Sequence, residues 1–553
     1  MMQSIKRFFC FLTCLISIGV KAQSVFLPQG SKEYILLDRL EIKKQKDTVL
    51  NFSTLKPFSR KLWVERLQTV VKDSEIALTS IDRYNIKRSL LNNLEWVDTG
   101  SIHSESARPL FKYFFNTPAN FVFVKEKDFT LIINPVLYLQ AGSASDIDQK
   151  AFVNTRGIST RMLIAKKIGV YSTLTENQER GPAYFQARVR ELRAVPGAGL
   201  YQPFKGGGFD YFDATGGVTF NAAKFIDVQF GYDRQFIGQG YRSLFLSDQA
   251  HSYLFANLNL KVWRLNYVSK FMRLTSNYVR GAIDTLYPTR FATIHHISFN
   301  APKWLTIGLF ESIAFGRTDG FELAYLNPAI FLRPMEQDRG SSDNALVGVD
   351  FKMNLLKKAQ IYGQVNFDEF KLHELLANNG WYANKWALQL GGKLIDALKI
   401  KNLDMQAELN LIRPFTYSHW NGSANYSNYN QPLAHPLMSN VKEFIYIVRY
   451  QPQPKWYMQG KIIYWNQGSD KDGLNYGNNL FKSSYTRVSD YGFHFGAGKP
   501  LTGLFTNLWL AYEWKENLFI EANCTYRKLT DTQNSGMFTL GIRWNIQRRE
   551  YDY

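Results

Sequence analysis

The most regular feature of the chain is an alternation of apolar and polar residues that begins near Asn120 and continues almost to the end. Successive side chains of a strand point to opposite faces, so a period of two predicts strands with one apolar face and one polar face. The pattern therefore favours an all-β fold. The clearest runs are 226–232, 444–450, 508–514, 518–526 and 538–546.

The connections between these strands fall into two classes. Short polar turns such as "FNAPKW" (299–304) and "YQPQPKW" (450–456) have an aromatic residue on each flank, whereas 421–440 and 466–490 are long and rich in Asn, Ser, Tyr and Gly. Short turns at one end, long loops at the other and aromatic flanks are typical of an outer-membrane β-barrel. The alternative is a soluble β-sandwich or propeller, which produces the same alternation by hiding its apolar faces in a core.

The length of the alternating region sets the size of the barrel. With about 22 to 25 residues for each strand and its connection, we expect a transmembrane antiparallel barrel of about 18 strands. In "FNAAKFIDVQFGYDRQFIGQGYRSLFLSDQ" (220–249) the alternation gives way to charge and glycine. We expect its first part to cross the bilayer, and the part from Asp233 to Arg242 to leave the bilayer or face water inside the barrel.

Residues 23–115 follow a different period. Apolar residues recur there at spacings of three and four, first after Pro57 and again between Ile81 and Val97. This predicts a module of two or three short helices, with an amphipathic helix lying on a membrane as the alternative. In the first helix the spaced residues are Trp63, Leu67, Val70 and Val71. The predicted organisation is a signal peptide (1–22), a periplasmic helical plug (23–115), the barrel (116–546) and a C-terminal tail (547–553).

The first 22 residues have the features of a cleavable export signal. Two basic residues precede a short apolar stretch, and a Val-Lys-Ala sequence ends it at Ala22. That stretch is too short to span a bilayer, and no later segment has about 18 uninterrupted apolar residues. Cleavage removes Cys10 and Cys14, so Cys524 alone remains and a disulfide framework within the chain is excluded.

Composition and charge narrow the class further. Aromatic residues make up 15% of the chain, yet the mean hydropathy is −0.26, which is too polar for a bundle of membrane helices. Loss of the signal leaves 63 Lys and Arg against 47 Asp and Glu, a net charge of +16. A basic surface attracts acidic polysaccharide, anionic lipid headgroups or nucleic acid, and export disfavours nucleic acid.

Four sequence blocks of the chain say more about its family than the overall composition does. In content and order they resemble the Wzi family of capsule-assembly outer-membrane proteins, above all its Bacteroidetes branch, which includes gliding-motility proteins of the RemB type. The resemblance covers essentially the whole mature chain. The blocks are "LLDRLEIKKQKDTVLNFSTLKPFSRK" (36–61), "FGYDRQFIGQGYRSLFLSDQA" (230–250), "FELAYLNPAIFLRPMEQDRGSSDNALVGVDF" (321–351) and "IRPFTYSHWNGSANYSNYNQPLAHPLMSNVKEFI" (412–445).

The resemblance implies an 18-stranded barrel, plugged by helices on its periplasmic side, that works in surface polysaccharide attachment or assembly without catalysis or a cofactor. We therefore expect a non-enzymatic barrel of the outer membrane whose partners are an acidic surface polysaccharide and membrane lipid. One alternative is an accessory barrel of a gliding-motility or secretion apparatus that binds protein partners. Another is a diffusion porin, which predicts an open lumen and ion conductance, whereas a plugged barrel conducts almost nothing until residues 23–115 are removed.

Candidate ligand residues follow from the chemistry of an acidic glycan. Arg guanidinium groups pair with carboxylates, and Tyr or Trp faces stack on sugar rings. The alternative is structural, since Arg and Asp neighbours such as Arg234 and Asp233 can pair inside a lumen and stiffen its wall. The candidates for glycan binding are Arg234, Tyr241, Arg242, Tyr325, Arg333, Arg339, Arg413, Tyr417 and Trp420.

The motifs for metal binding and nucleophilic catalysis are weak. His295 and His296 are adjacent, so on a strand they face opposite sides and cannot share a metal. "DKDG" (470–473) begins like a calcium loop, but Phe481 stands where the closing Glu belongs. His419 has no partner signature for a serine nucleophile. We expect neither a catalytic site nor a metal site.

Overall fold

In the computed structural model, eighteen long strands close into one antiparallel barrel. The structure describes residues 25–97, 105–106, 113–275, 287–316, 322–338, 340, 343–369 and 371–553. The strands are β1 (Phe129–Ala144), β2 (Ala151–Ile164), β3 (Ile168–Arg180), β4 (Gly208–Ala223), β5 (Ile226–Asp233), β6 (Tyr253–Val262), β7 (Leu265–Thr275), β8 (Thr289–Asn300), β9 (Leu305–Phe315), β10 (Asn344–Leu355), β11 (Ala359–Glu369), β12 (Lys385–Leu394), β13 (Leu403–Ile412), β14 (Val441–Tyr450), β15 (Trp456–Ser469), β16 (Lys499–Lys515), β17 (Leu518–Leu529) and β18 (Ser535–Trp544). Consecutive strands pair, and β18 pairs with β1, so the sheet has no open edge. The predicted all-β barrel and its strand number are confirmed.

The apolar members of the alternating runs lie on the outer surface of this barrel. Phe230 is 54% exposed and Leu508 is 64% exposed, whereas the neighbouring Gln229 and Asn507 face inward and are buried. A soluble β-sandwich would bury the apolar face instead. An exposed apolar band around a closed barrel is the surface that meets lipid, so the strands span a membrane.

The connections sort to the two ends of the barrel as predicted. The short turns 224–225, 263–264, 301–304, 451–455 and 516–517 all lie at one end, which we call the turn end. Trp263 and Trp514 are exposed there, as expected of an aromatic girdle. The long connections 181–207, 234–252, 413–440 and 470–498 lie at the opposite end, the loop end.

Within the part of the chain that the structure describes, three helices precede the barrel: α1 (Lys32–Lys44), α2 (Arg60–Lys72) and α3 (Ser80–Leu91). Trp63, Leu67 and Val70 of α2 are buried in the core that the three helices share, as their spacing predicts, but Val71 is 45% exposed. Val71 directly follows Val70, so on a helix it points to a neighbouring face that meets water. No helix among the described residues is long and apolar enough to cross a membrane.

The helical module sits inside the turn end of the barrel and is tied to its wall by ion pairs. Glu41 of α1 pairs with Lys352 of β10 at 2.6 Å, and both side chains are almost fully buried. On another side of the barrel, Arg161 of β2 pairs with Glu95 at 2.8 Å. The module therefore plugs this end, in agreement with the predicted fold.

The remaining elements are short. Two-residue strands pair as Leu55–Lys56 with Phe236–Ile237 and as Ser427–Asn428 with Gln431–Pro432. Val122–Lys125 pairs antiparallel with β1, and Gln202–Phe204 pairs antiparallel with β4. The other helices are α4 (Ala183–Leu192), α5 (Leu332–Asp338) and α6 (Leu372–Ala377). Single 3₁₀ turns occur at Leu50–Phe52, Leu323–Leu326, Ala397–Lys399, Gly422–Ala424 and Ser484–Thr486. The predicted signal peptide (1–22) lies outside the described residues.

Candidate functional site

The chain that follows β5 turns back into the barrel. The backbone N–H groups of Tyr241 and Arg242 donate to the Glu408 carboxylate at 2.7 and 3.0 Å, and Phe245 is fully buried. The approach is close enough to require glycine at 240, since a Cβ there would lie 2.4 Å from a Glu408 oxygen. The charged stretch from Asp233 to Arg242 thus faces the interior of the barrel, which is one of the two positions expected from the sequence. It packs against protein rather than lining a water-filled lumen.

Arg242 lies at the centre of this packing and is almost fully buried. Its guanidinium pairs with Glu443 at 3.3 Å and with Asp552 at 3.6 Å, and it donates to the Asp552 carbonyl oxygen at 2.6 Å. Burial alone would lower the pKa of Arg242, but the carboxylates of Glu443 and Asp552 raise it above its usual value. Arg242 is therefore a fixed cation inside the fold, with internal carboxylates as its counter-charges.

The residues that follow β18 also enter the lumen; we call 545–553 the lumenal segment. Lys461 of β15 holds the carboxylates of Glu550 and Asp552, and the Tyr241 hydroxyl lies within hydrogen-bond distance of both. Burial would raise the pKa of the Glu550 carboxyl, but Arg548 and Lys461 hold it well below its usual range. The lumenal segment is thus locked in place by charge.

Three further candidates make internal contacts. Arg234 pairs with Asp213 at 3.2 Å and donates to the Gly197 carbonyl. Arg413 donates to the Phe493 carbonyl at 3.0 Å, and the buried Tyr417 hydroxyl donates to the Leu244 carbonyl at 2.9 Å. These bonds join the long loops to one another, so the three side chains hold the loop end together.

The candidates of the 321–351 block include one buried and one exposed residue. Tyr325 is buried and donates to Asp343 at 2.9 Å. Arg333 is 47% exposed and pairs with Glu336 of the same helix at 2.7 Å. Arg339 lies outside the described residues. A ligand role for these residues stays a prediction.

Trp420 differs from the other candidates because it is exposed at the loop end without an ion-pair or hydrogen-bond role for its ring. The ring is 42% exposed and stacks on Tyr485, with 5.7 Å between centroids and 17° between planes. Tyr485 is 66% exposed. The Ser483 hydroxyl donates to the Trp420 carbonyl at 2.9 Å and so ties the loop 413–440 to the loop 470–498. We call Trp420 and Tyr485 the aromatic platform.

Sequence reasoning missed Tyr485, although its loop was recognised as long and rich in Asn, Ser, Tyr and Gly. Nothing in the local sequence distinguishes Tyr485 from the other tyrosines of that loop, because its stacking partner comes from a different loop. Two cations of the loop 470–498 lie near Tyr485 in the sequence, Lys482 and Arg487. Lys482 is 44% exposed and pairs with Asp470, and Arg487 lies 3.8 Å from the centre of the Tyr382 ring.

The paired histidines face opposite sides of β8, as predicted. His296 contacts Asp350 at 2.6 Å on the inner face, and His295 contacts Glu311 at 3.0 Å on the outer face. Among the residues that the structure describes, no group of three or more His, Cys, Asp and Glu side chains is arranged to hold a metal ion.

These features define a class of protein: a membrane-spanning β-barrel of eighteen strands, plugged by helices at its turn end and packed with its own chain inside. Among solved structures, the chain is similar to Wzi of Escherichia coli, described as an outer membrane protein involved in group 1 capsule assembly and as a carbohydrate-binding β-barrel. The TM-score is 0.56 at 13% identity, with 95% of this chain and 100% of that chain covered. At this identity the likeness shows a shared fold.

Two other solved barrels are less similar. OprD of Pseudomonas aeruginosa matches with a TM-score of 0.41 at 13% identity, covering 76% of this chain and 94% of that chain. OccAB4 of Acinetobacter baumannii matches with a TM-score of 0.41 at 8% identity, covering 76% and 98%. No family model matches the chain, and no curated protein matches it by sequence.

Proposed function

We propose that this protein is a non-enzymatic outer-membrane barrel that binds a surface polysaccharide at its loop end, in the assembly or attachment of capsule or a related glycan. Residues 1–22 direct export, the module of 23–115 faces the periplasm, and the barrel of 116–546 sits in outer-membrane lipid with the loop end outside. The observation that carries the proposal is the exposed aromatic platform of Trp420 and Tyr485.

The packed lumen supports a role at the surface rather than in diffusion. A diffusion porin needs a continuous water-filled path, but the helical module, the loop 234–252 and the lumenal segment all occupy the described part of the lumen. Two cavities along the inner wall have volumes of about 60 and 50 Å³, which is room for a few water molecules each. A long polymer therefore has to engage the outside of the barrel.

The chemistry of the platform suits a sugar. Aromatic faces stack on the C–H face of a pyranose ring, and Lys482, an exposed cation of the same loop as Tyr485, can attract the carboxylate of an acidic glycan. The solved Wzi barrel, whose fold this chain shares, is described as carbohydrate-binding, which adds support for a glycan as the partner.

Deletion of the gene in its host tests the proposal directly. The cell surface is stained for retained polysaccharide, and spreading motility is scored on the same strain. We expect polymer to be shed into the medium while motility persists. Unchanged retention of the polymer would contradict the proposal.

Binding by the purified protein tests the platform. We expect Trp420→Ala to weaken binding of the host polysaccharide by about 1 to 2 kcal/mol, because one stacking face is lost. Binding should also weaken with added salt, because an acidic polymer is attracted by charge. Trp263→Ala is the matched control, since Trp263 is exposed at the turn end, and its binding should equal that of the unaltered protein.

A second candidate function is an accessory barrel of a gliding-motility or secretion apparatus, as in the RemB-like branch. The segment 322–338 favours it, because Leu323 and Phe331 are 72% and 75% exposed and a protein partner could cover them. The deletion strain separates the two functions. Loss of spreading with normal polysaccharide would favour the protein partner.

A further inference from the structure

A cavity of about 50 Å³ lies where three parts of the chain meet inside the barrel. The helical module contributes Phe26 and Lys56 to its lining, and strands β5, β6 and β7 of the wall contribute others, among them Lys270. The loop 234–252 enters the barrel from the loop end and adds Gln235. A ligand in this cavity would therefore contact the module, the wall and the loop together.

Lys270 of β7 is a buried cation of this cavity, with 3% of its surface exposed. Its ammonium donates to the Asn257 side-chain oxygen at 2.7 Å and to the Gln235 side-chain oxygen at 3.1 Å. Both acceptors are uncharged amides, and no carboxylate among the described residues forms an ion pair with Lys270. The buried Lys352 and Lys461, by contrast, have carboxylates at 2.6 and 2.7 Å. Lys270 thus lacks the counter-charge that a buried cation needs.

Gln235 supplies a second, independent sign of a missing ligand. The residue is 4% exposed, and its side-chain oxygen faces the donors of Lys270 and Asn257. These two donors fix the orientation of the amide, since its nitrogen could not accept from them. The amide nitrogen, Nε2, is buried and has no hydrogen-bond partner among the described residues. An unpaired buried donor is costly, so the N–H groups of Gln235 call for an acceptor.

The charges around the cavity favour an anion as that acceptor. Lys56 adds a second cation from the module; its ammonium lies 4.6 Å from the centre of the Phe236 ring. Burial and the charge of Lys393 lower the pKa of Lys56 to about 8, which reflects a shortage of negative charge around it. Asp227 is the one carboxylate among the lining residues that the structure describes. Two cations therefore face a single carboxylate.

We propose that this cavity is a binding site for a small inorganic anion of the size of chloride. Lys270 and the Gln235 amide donate to the anion, and Lys56 adds a positive charge from the module. The cavity has room for a few water molecules, so one such ion fits. The bound anion fastens the helical module and the loop 234–252 to the wall. The inference is independent of glycan binding.

Thermal unfolding of the full-length protein in detergent tests the site. Chloride is replaced by gluconate, which is too large for the cavity, at constant ionic strength. Because a ligand that binds only the folded state stabilises it, we expect the unfolding midpoint to be about 2 to 4 °C higher in about 100 mM chloride than in gluconate. An unaltered protein with the same midpoint in both salts would contradict the proposal.

Two variants assign the effect to this cavity. Lys270→Met removes the buried charge, so its midpoint should be the same in both salts. Gln235→Glu places a carboxylate where the amide oxygen now accepts from Lys270, so the chain supplies its own anion. This variant should unfold in gluconate at the midpoint that the unaltered protein reaches in chloride, and chloride should add nothing. It also decides the question if Lys270→Met does not fold.

Lys461→Met is the matched control, because it removes a buried lysine whose charge Glu550 and Asp552 already compensate. Its midpoint should fall in both salts and keep the full response to chloride. A response that survives in Lys270→Met and Gln235→Glu would place the anion elsewhere and overturn the assignment.

Crystals soaked in bromide locate the ion by its anomalous scattering. We expect a bromide within hydrogen-bond distance of Lys270 Nζ and Gln235 Nε2 in the unaltered protein, and none in the cavity of Lys270→Met. A bromide in the cavity together with no response to chloride in solution would mean binding at crystal concentration only, and the site would be rejected.

Discussion

The two ends of the barrel differ in the balance of their contacts, since the loop end adds ring contacts to ion pairs such as Arg234 with Asp213. At the turn end, buried ion pairs such as Lys352 with Glu41 fasten the helical module to the wall. At the loop end, rings from separate loops meet, as His251 does with Tyr429 at 4.8 Å between centroids. Breaking a buried ion pair leaves a charge unpaired, whereas a ring contact can be exchanged for another. The turn end is therefore built to stay shut, and the loop end can accept a ligand.

The largest expected effect is at the turn end. Lys352→Met leaves the Glu41 carboxylate buried without its partner, so we expect the free energy of unfolding to fall by about 3 to 5 kcal/mol. Urea unfolding in detergent measures it. Lys499→Met is the matched control, because Lys499 and Asp531 form an exposed pair, and we expect a change of about 0 to 1 kcal/mol. Equal losses in the two variants would contradict the contrast between the ends.

The loop end should respond to acid. Burial lowers the pKa of His251 to about 4, so the folded state favours the neutral ring. The stabilisation of the folded state by the neutral ring is fully present above the unfolded pKa of about 6.5. It is lost as the pH falls from there to about 4, which lowers the free energy of unfolding by about 3 kcal/mol in total. Hydrogen exchange of residues 234–252 across this range measures the loosening.

His251→Phe removes the titrating group and keeps an aromatic ring beside Tyr429. We expect the acid loosening between about pH 6.5 and 4 to shrink by about 3 kcal/mol in this variant. His494→Phe is the control, since His494 is an exposed histidine of the loop 470–498. A pH profile that is the same in all three proteins would show that other groups hold the loops.

The sequence predicted the outer wall better than the interior. Strand periodicity is local, so residues such as Phe230 and Leu508 identify their strands and their lipid-facing side without knowledge of distant residues. The interior depends on pairs far apart in the chain, such as Lys352 with Glu41 and Arg242 with Asp552. No spacing rule connects such partners, and they become neighbours only when the barrel closes.

The predicted module of two or three helices did not give the position of α1, for the same reason. Its apolar residues Leu36, Leu37 and Leu40 are interrupted by Arg39 and other charged residues. In the structure Arg39 is buried, because carboxylates of α3 and of the barrel wall receive its guanidinium. The candidate site was affected likewise, since residue type could not show that Arg242 and Tyr417 contact distant residues of the fold. A glycan-binding role for the two stays a prediction.

A smaller acid effect is expected at the turn end, in a different window. Burial would raise the pKa of Asp82, but the hydrogen bond and charge of Arg39, with Lys43, lower it to about 2. The stabilisation by the Asp82 carboxylate is present above the unfolded pKa of about 3.8 and is lost as the pH falls through about 2. Asp82→Asn should therefore lower the free energy of unfolding by about 2 kcal/mol at pH 7. Unfolding at pH 7 and 2.5 tests this, and the difference from the unaltered protein should narrow in acid. Glu65→Gln, an exposed change on α2, should have no effect at either pH.

The smallest expected effect concerns the exposed half of the aromatic platform and sharpens the role of the loop end. Tyr485→Ala removes a ring that is 66% exposed, so stability should hardly change, while polysaccharide binding should weaken by about 1 kcal/mol. Tyr485→Phe keeps the ring and should bind like the unaltered protein, because stacking requires the face and not the hydroxyl. If Tyr485→Phe weakens binding as much as Tyr485→Ala does, the hydroxyl rather than the ring contacts the sugar. If neither change matters while Trp420→Ala does, the polymer contacts one ring only and Tyr485 serves to hold Trp420 in place.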